Sequence, residues 1–315
     1  MDNMNMNLSR RTLIGGAAAA AAVSIMPRGG HGKSPVKAAV KPASKPNSVF
    51  GGVQIGVITY SYRSVRGPAS DMLKNITQSG ISSIELMGNV AEALAGAPKS
   101  SKRDRNALAK WRLSVSMDKF KAVRKTYNDA GVNIHIVKFG NIGAGNMSKE
   151  EMEYYFKAAK ALGAKGITRE LSGGAAKHAG TLAEKHQIAI GMHNHTQMTP
   201  TTYDEDWFTK NKYIMMNLDI GHYAARNNES ALAMLKKYPG KILSLHVKDR
   251  KFKTNGSANM PFGQGDSAVA EILQYMKKTK ATFPADIELE YRVPKGSDAV
   301  KEVTKCVEFC KKALV

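Results

Sequence analysis

A chain of 315 residues carries a net charge of +21 and is 43% hydrophobic. The positive charge is spread along helix-like stretches, densest from Lys99 to Arg105, and not packed into one run with interleaved aromatics, so nucleic acid is not an expected partner. The two cysteines, Cys306 and Cys310, share one helix face at a spacing that fits a disulfide poorly, and they read as small buried apolar residues.

Taken in chain order, Arg10-Arg11 stands ahead of Gly15, Gly16 and an alanine run reaching Ile25. That run is shorter than the roughly 20 apolar residues needed to span a bilayer. Residues 1–30 therefore read as a twin-arginine export signal, with a periplasmic or secreted destination and no stable membrane insertion after processing. Residues 31–50, rich in Lys, Pro, Ala and Ser, cannot bury enough surface to fold and read as a disordered linker. Residues 51–315 have the length of one (β/α)8 TIM barrel.

Eight short apolar runs alternate with helix-period stretches across that region. The strand candidates are Gln54–Tyr60, Ser83–Met87, Asn133–Phe139, Gly166–Leu171, and then IAIGMHNHT, MMNLDIGHY, LSLHVKD and DIELEYR. Helix candidates are Asp118–Asp129, Lys149–Leu162, Ala175–His186, Ser230–Tyr238, Ser267–Lys278 and Ser297–Ala313. The basic stretch from Asn89 to Ser116 exceeds a standard strand-to-helix connection and reads as a lid or a surface helix.

A barrel of this kind gathers the C-terminal ends of its strands around one pocket. Half of the chain's eight histidines fall at the ends of the last four runs: His193, His195, His222 and His246. Strand alternation selects Glu170, Asp219, His246 and Glu290 as the inward set, with Glu288 deeper and paired to a lysine. Carboxylates plus imidazole without cysteine suit one divalent ion, Mn2+, Co2+, Mg2+ or Zn2+, and argue against a structural zinc. Glu170, His195 and Glu290 are the candidate catalytic groups, and His193, His222 and Lys248 the candidate substrate contacts.

The runs Gly191-Met-His-Asn-His195, Leu218-Asp-Ile-Gly-His222, Leu245-His-Val-Lys-Asp249, Pro261-Phe-Gly-Gln-Gly-Asp266 and Glu288-Leu-Glu-Tyr291 together resemble the xylose isomerase-like barrels, the sugar phosphate isomerase/epimerase group. That group includes D-tagatose 3-epimerase, inosose dehydratase and 3-keto-glycoside lyases. The resemblance implies metal ligands at Asp219, His246 and Glu290, with His222 on the substrate. Where its epimerases carry a glutamate on the fifth strand, this chain has His193, which leaves Glu170 or His195 as fourth ligand. The expected activity is proton abstraction next to a carbonyl of a keto sugar, giving isomerisation or epimerisation, or elimination where a leaving group lies next door. The expected partner is a small carbohydrate, with a homo-oligomer possible. The rivals are a metal-dependent phosphodiesterase and a non-catalytic carbohydrate-binding subunit; the first two strand ends lack the extra histidines of the former.

Overall fold

The computed structural model describes residues 45–99 and 105–315. The expected export signal, and the linker up to residue 44, lie outside the described residues.

Eight parallel strands close into a barrel. We number them β1 (Val53–Ile58), β2 (Ser83–Met87), β3 (Asn133–Lys138), β4 (Gly166–Glu170), β5 (Ala189–His193), β6 (Ile214–Asp219), β7 (Ile242–Val247) and β8 (Ala285–Ile287). Each pairs in parallel with the next, and β8 pairs back onto β1 through Asp286↔Gly56. Val49–Phe50 adds an antiparallel edge to the start of β1.

Local chemistry sets the helix ends. Ser148 caps Lys149–Leu162 by accepting from the Glu151 amide, and Gly163 ends that helix at φ +78°, where a side chain would be strained. Ser172 and Asp298 cap Gly173–His186 and Ala299–Leu314 in the same way. The described residues of the Asn89–Ser116 stretch lie in part in two helices, Gly88–Leu94 and Arg105–Ser114. Trp111 of the second sits edge-on to Phe120 and Tyr154, and Arg112 binds Glu92 through two nitrogens at 2.7 and 3.1 Å. This is a surface helix clamped to its neighbours. Among the described residues, no helix is long and apolar enough to cross a membrane.

The outer strand faces bury Ile84, Leu86, Ile134, Val137, Leu218 and Leu245 beneath the helices. The lumen differs from the branched apolar layers usual in such barrels. Its middle layer is polar: Glu85 accepts from Thr168, Asn217 and His246, and Asn217 also donates to Ser244 at 2.7 Å. A register shift between β6 and β7 breaks the alternation beside Leu243, whose side chain lies against the bare Cα atoms of Gly166 and Gly191; a Cβ at either would come within 2.5 or 2.9 Å of it. Those two glycines are required by close approach, and the lumen above them is left to ionisable groups.

Candidate functional site

Strand β6 runs directly into the helix Ile220–Asn227, and Asp219 is its N-cap, with Oδ1 accepting from the His222 amide at 2.7 Å. The cap holds one carboxylate oxygen and presents the other, Oδ2, to the lumen. Gly221 lets that helix approach β7, since a Cβ there would meet Lys248 Cγ at 2.3 Å. His222 is thereby set over Lys248. After β7, the Asp249 carboxylate accepts the amides of Gly263, Gly265 and Ser267, which folds the Pro261–Asp266 turn against the strand end. Arg250 then reaches back to His222 Nδ1 at 2.6 Å.

Beyond β8 the ladder gives way to side-chain stitching. Ser61 Oγ donates to the Ile287 carbonyl and accepts from the Leu289 amide, and Arg63 donates to the Leu289 carbonyl. The backbone stays extended enough for Glu288 and Glu290 to reach the same lumen. Both meet Lys248 Nζ, at 2.7 and 2.6 Å, and Asp219 Oδ2 lies 3.0 Å from it. Asp219 Oδ2 makes no hydrogen bond, so the lysine meets its charge without aligned geometry.

Four buried residues, His193, Asp219, His246 and Glu288, bring one donor atom each to within 4.8 Å of one another. A second group, His193, His195 and His222, meets the same criterion and opens toward solvent. Of the residues selected from sequence, the expected ligands Asp219 and His246 stand in the first group, together with His193, which was expected to contact substrate. Glu290 lies beside it, on Lys248. Glu170 stands apart at the mouth, 2.9 Å from Lys138 Nζ and 3.3 Å from His195 Nε2. Glu288 is both a lysine partner and a member of the donor group. His195 is half exposed, with its ring centroid 4.8 Å from that of His222.

Glu85 was not among the sequence candidates, although it sits at the centre of the lumen, completely buried. An acid in the middle of the apolar run Ser83–Met87 was the available signal. Its carboxylate contacts His246 Nε2 at 2.9 Å, while His246 Nδ1 faces Glu288 at 3.2 Å. A carboxylate on the rear nitrogen fixes which nitrogen faces the donor group. Asn217 fixes His193 likewise, through Nδ1 at 2.8 Å.

Electrostatics divide the imidazoles. Burial disfavours charge on His246, but Glu85 and Glu288 outweigh it and push its pKa up to about 10. Burial, then Lys248 and Arg250, lower His222 to about 3. Its two ring nitrogens both face cationic donors, and a neutral imidazole can accept at only one of them. Burial, with Lys138 and His246 nearby, holds His193 well below the ordinary histidine range. Burial raises Asp219 to about 6 against the opposing pull of Lys248. Burial also opposes charge on Glu288, yet Lys248 and His246 keep it well below the usual carboxylate range.

The donor set fits a divalent cation. It combines two carboxylates with two imidazoles, one of them neutral, and one carboxylate oxygen is buried without a hydrogen bond. Glu85, Asp219, Glu288 and Glu290 also outnumber the cations His246 and Lys248 among them, so the lumen carries excess negative charge.

A separate cavity of about 400 Å³ opens at the N-terminal mouth, lined by Ser83, His135 and Lys165 among others. There Ser83 Oγ, His135 and Asp286 form a chain of contacts at 2.7 and 2.9 Å. That end of a barrel serves stability, and chemistry belongs to the opposite face.

No protein-family model and no curated protein matches the chain. Solved structures do. A probable 3-DHS dehydratase from Bacillus anthracis is 12% identical with a TM-score of 0.60, over 81% of this chain and 98% of that one. A sugar phosphate isomerase/epimerase from Parabacteroides distasonis is 19% identical with a TM-score of 0.56, over 86% and 97%. A D-psicose 3-epimerase crystallised in the presence of D-fructose is 13% identical with a TM-score of 0.56, over 83% and 99%. The chain has their fold. At these identities the likeness is of fold alone, the (β/α)8 barrel expected from its alternating strand and helix runs.

Proposed function

We propose that this chain is a divalent-metal-dependent enzyme of the sugar isomerase/epimerase type, which removes a proton from the carbon beside a carbonyl of a keto sugar. The observation that carries the reading is the buried group His193, Asp219, His246 and Glu288 at the C-terminal face, adjoined by His195 and His222, which group with the same His193. When bound, a divalent ion (Mn2+, Co2+, Mg2+ or Zn2+) supplies Lewis-acid polarisation of the carbonyl and its neighbouring hydroxyl. His193, Asp219, His246 and Glu288 would hold it, with Glu85 orienting His246.

His195 stands above that group, half exposed, with Glu170 at 3.3 Å. Glu170 lies against the His195 ring and directs it, and His195 takes up the substrate proton. Lys138 neutralises the other Glu170 oxygen at 2.9 Å and fixes its direction. On the opposite wall, Arg250, Lys248 and Glu290 hold His222 and line the approach with hydrogen-bonding groups suited to sugar hydroxyls.

Elimination is the second reading. The β5 side of the donor group presents only His193 and His195, and an imidazole that has taken a proton can return it to a departing hydroxyl or alkoxyl. The structural likeness to a dehydratase as well as to epimerases fits either outcome.

Incubation of metal-loaded protein with free and 3-oxidised sugars in D2O tests the proposal. Deuterium at the carbon beside the carbonyl is the expected result, and product analysis separates epimer from elimination product. Absence of exchange with every sugar and each of the four metals overturns it.

A further inference from the structure

Lys248 occupies the position from which a cation balances the site. Its Nζ lies 2.6 Å from Glu290 Oε2, 2.7 Å from Glu288 Oε2, 3.0 Å from Asp219 Oδ2 and 3.0 Å from His222 Nε2. The side chain is 3% exposed. An ammonium has three hydrogens for these four acceptors, so one contact is charge alone. Asp219 Oδ2, which makes no hydrogen bond, is that contact.

Asp219 and Glu288 are also two of the four donors that a metal ion would use. An ion of the zinc type takes carboxylate oxygens at about 2.0–2.2 Å. An ammonium within 3.0 Å of both oxygens competes for the same lone pairs and sets a second cation beside the ion, and two like charges so placed repel in a buried site. Glu290 and His222 lie outside the four-donor group, toward the mouth, so they remain available to the lysine when Asp219 and Glu288 are taken.

We infer that Lys248 is a built-in competitor for the metal ion: its ammonium holds Asp219 and Glu288 in the metal-free protein and must leave both, keeping Glu290 and His222, for an ion to bind. This rests on the proposed metal-dependent function and adds to it a determinant of metal affinity. It also has a consequence for catalysis. The displaced ammonium comes to lie between Glu290 and His222, on the wall that faces substrate, so metal loading and completion of the substrate pocket are one event.

The test is calorimetric titration of the metal-free protein with Mn2+ and with Zn2+ at one fixed pH, for the unaltered chain, Lys248→Met and Lys248→Gln, with thermal unfolding confirming that each folds. Removal of the competitor tightens binding roughly tenfold or more in the folded variants, a change of the size produced by altering groups around a ligand set. Binding by the variants alone supports the inference equally. Unchanged or weaker binding in both variants overturns it while leaving the metal-dependent function standing. Absence of binding in all three proteins overturns both. If neither variant folds, the Nζ resonance of Lys248 in ¹⁵N-lysine-labelled protein decides, assigned by its loss in Lys248→Arg. It shifts on saturation with Zn2+ if the ammonium moves, and an unmoved resonance in the zinc-bound protein refutes the displacement.

Discussion

Glu85 is held by Thr168, Asn217 and His246 with no access to water, and it faces an imidazole that it helps to keep charged. Replacing it with alanine would leave His246 buried with one carboxylate partner instead of two. Breaking a buried ion pair from one side costs about 3–5 kcal/mol, so Glu85→Ala is expected to lose that much in urea denaturation; a loss under about 1 kcal/mol, the range of an exposed pair, would contradict the description. The mouth residues are expected to act on rate instead. His195→Ala and Glu170→Gln, each at saturating metal, should show at least one loss of about 10²–10⁴ in turnover with metal still bound. Near-normal turnover in both would place the proton transfer elsewhere. Strand alternation was enough to bring Asp219, His246, Lys248, Glu288 and Glu290 to one lumen on paper. It could not tell which of Glu288 and Glu290 meets the other donors, because that depends on how Ser61 and Arg63 hold the backbone after β8, contacts separated from it by more than two hundred residues.

At the level of elements, the runs at Ser83–Met87, Asp118–Asp129 and Lys149–Leu162 form the strand and helices expected, to the residue. Their signals are local: an apolar strand run introduced by glycine, an apolar stripe at helical spacing, and for the last helix a serine cap. The helix Ile220–Asn227 was not legible, since MMNLDIGHY reads as one continuous apolar run. What divides it is the Asp219 side chain turning back onto the His222 amide, a decision made by one hydrogen bond. The C-terminal helix Ala299–Leu314 carries both cysteines on its buried face, at 2% and 0% exposure. Burial pushes Cys306 up to about 12 and also raises Cys310 well above the thiol range. With the thiolate form suppressed and access closed, neither should react with Ellman's reagent at pH 8 in the folded protein, and both should react after denaturation. Rapid labelling of the native protein would mean that this helix is not seated as described.

Across the whole molecule, the barrel carries the proposed site but says nothing of where the protein works. The expected signal, residues 1–30, lies outside the described residues. We propose export by the twin-arginine route, on the pairing of Arg10-Arg11 with the apolar run to Ile25. The run is shorter than the roughly 20 residues of a membrane-spanning helix, and so suits a signal that is removed better than one that anchors. The proposal agrees with the rest of the molecule in one physical respect. A site with donors drawn from three strands and the segment after β8 exists only in the folded chain, and the twin-arginine route carries folded proteins, so the ion can be loaded before export. Replacing Arg10 and Arg11 together with lysine keeps the charge and removes the guanidinium pair. Fractionation of cells expressing the double variant should then find the protein retained in the cytoplasm, uncleaved and with its metal bound, whereas the unaltered chain is recovered outside the inner membrane. Normal export of the variant would refute the route, and recovery of the unaltered chain in the cytoplasm alone would refute export itself.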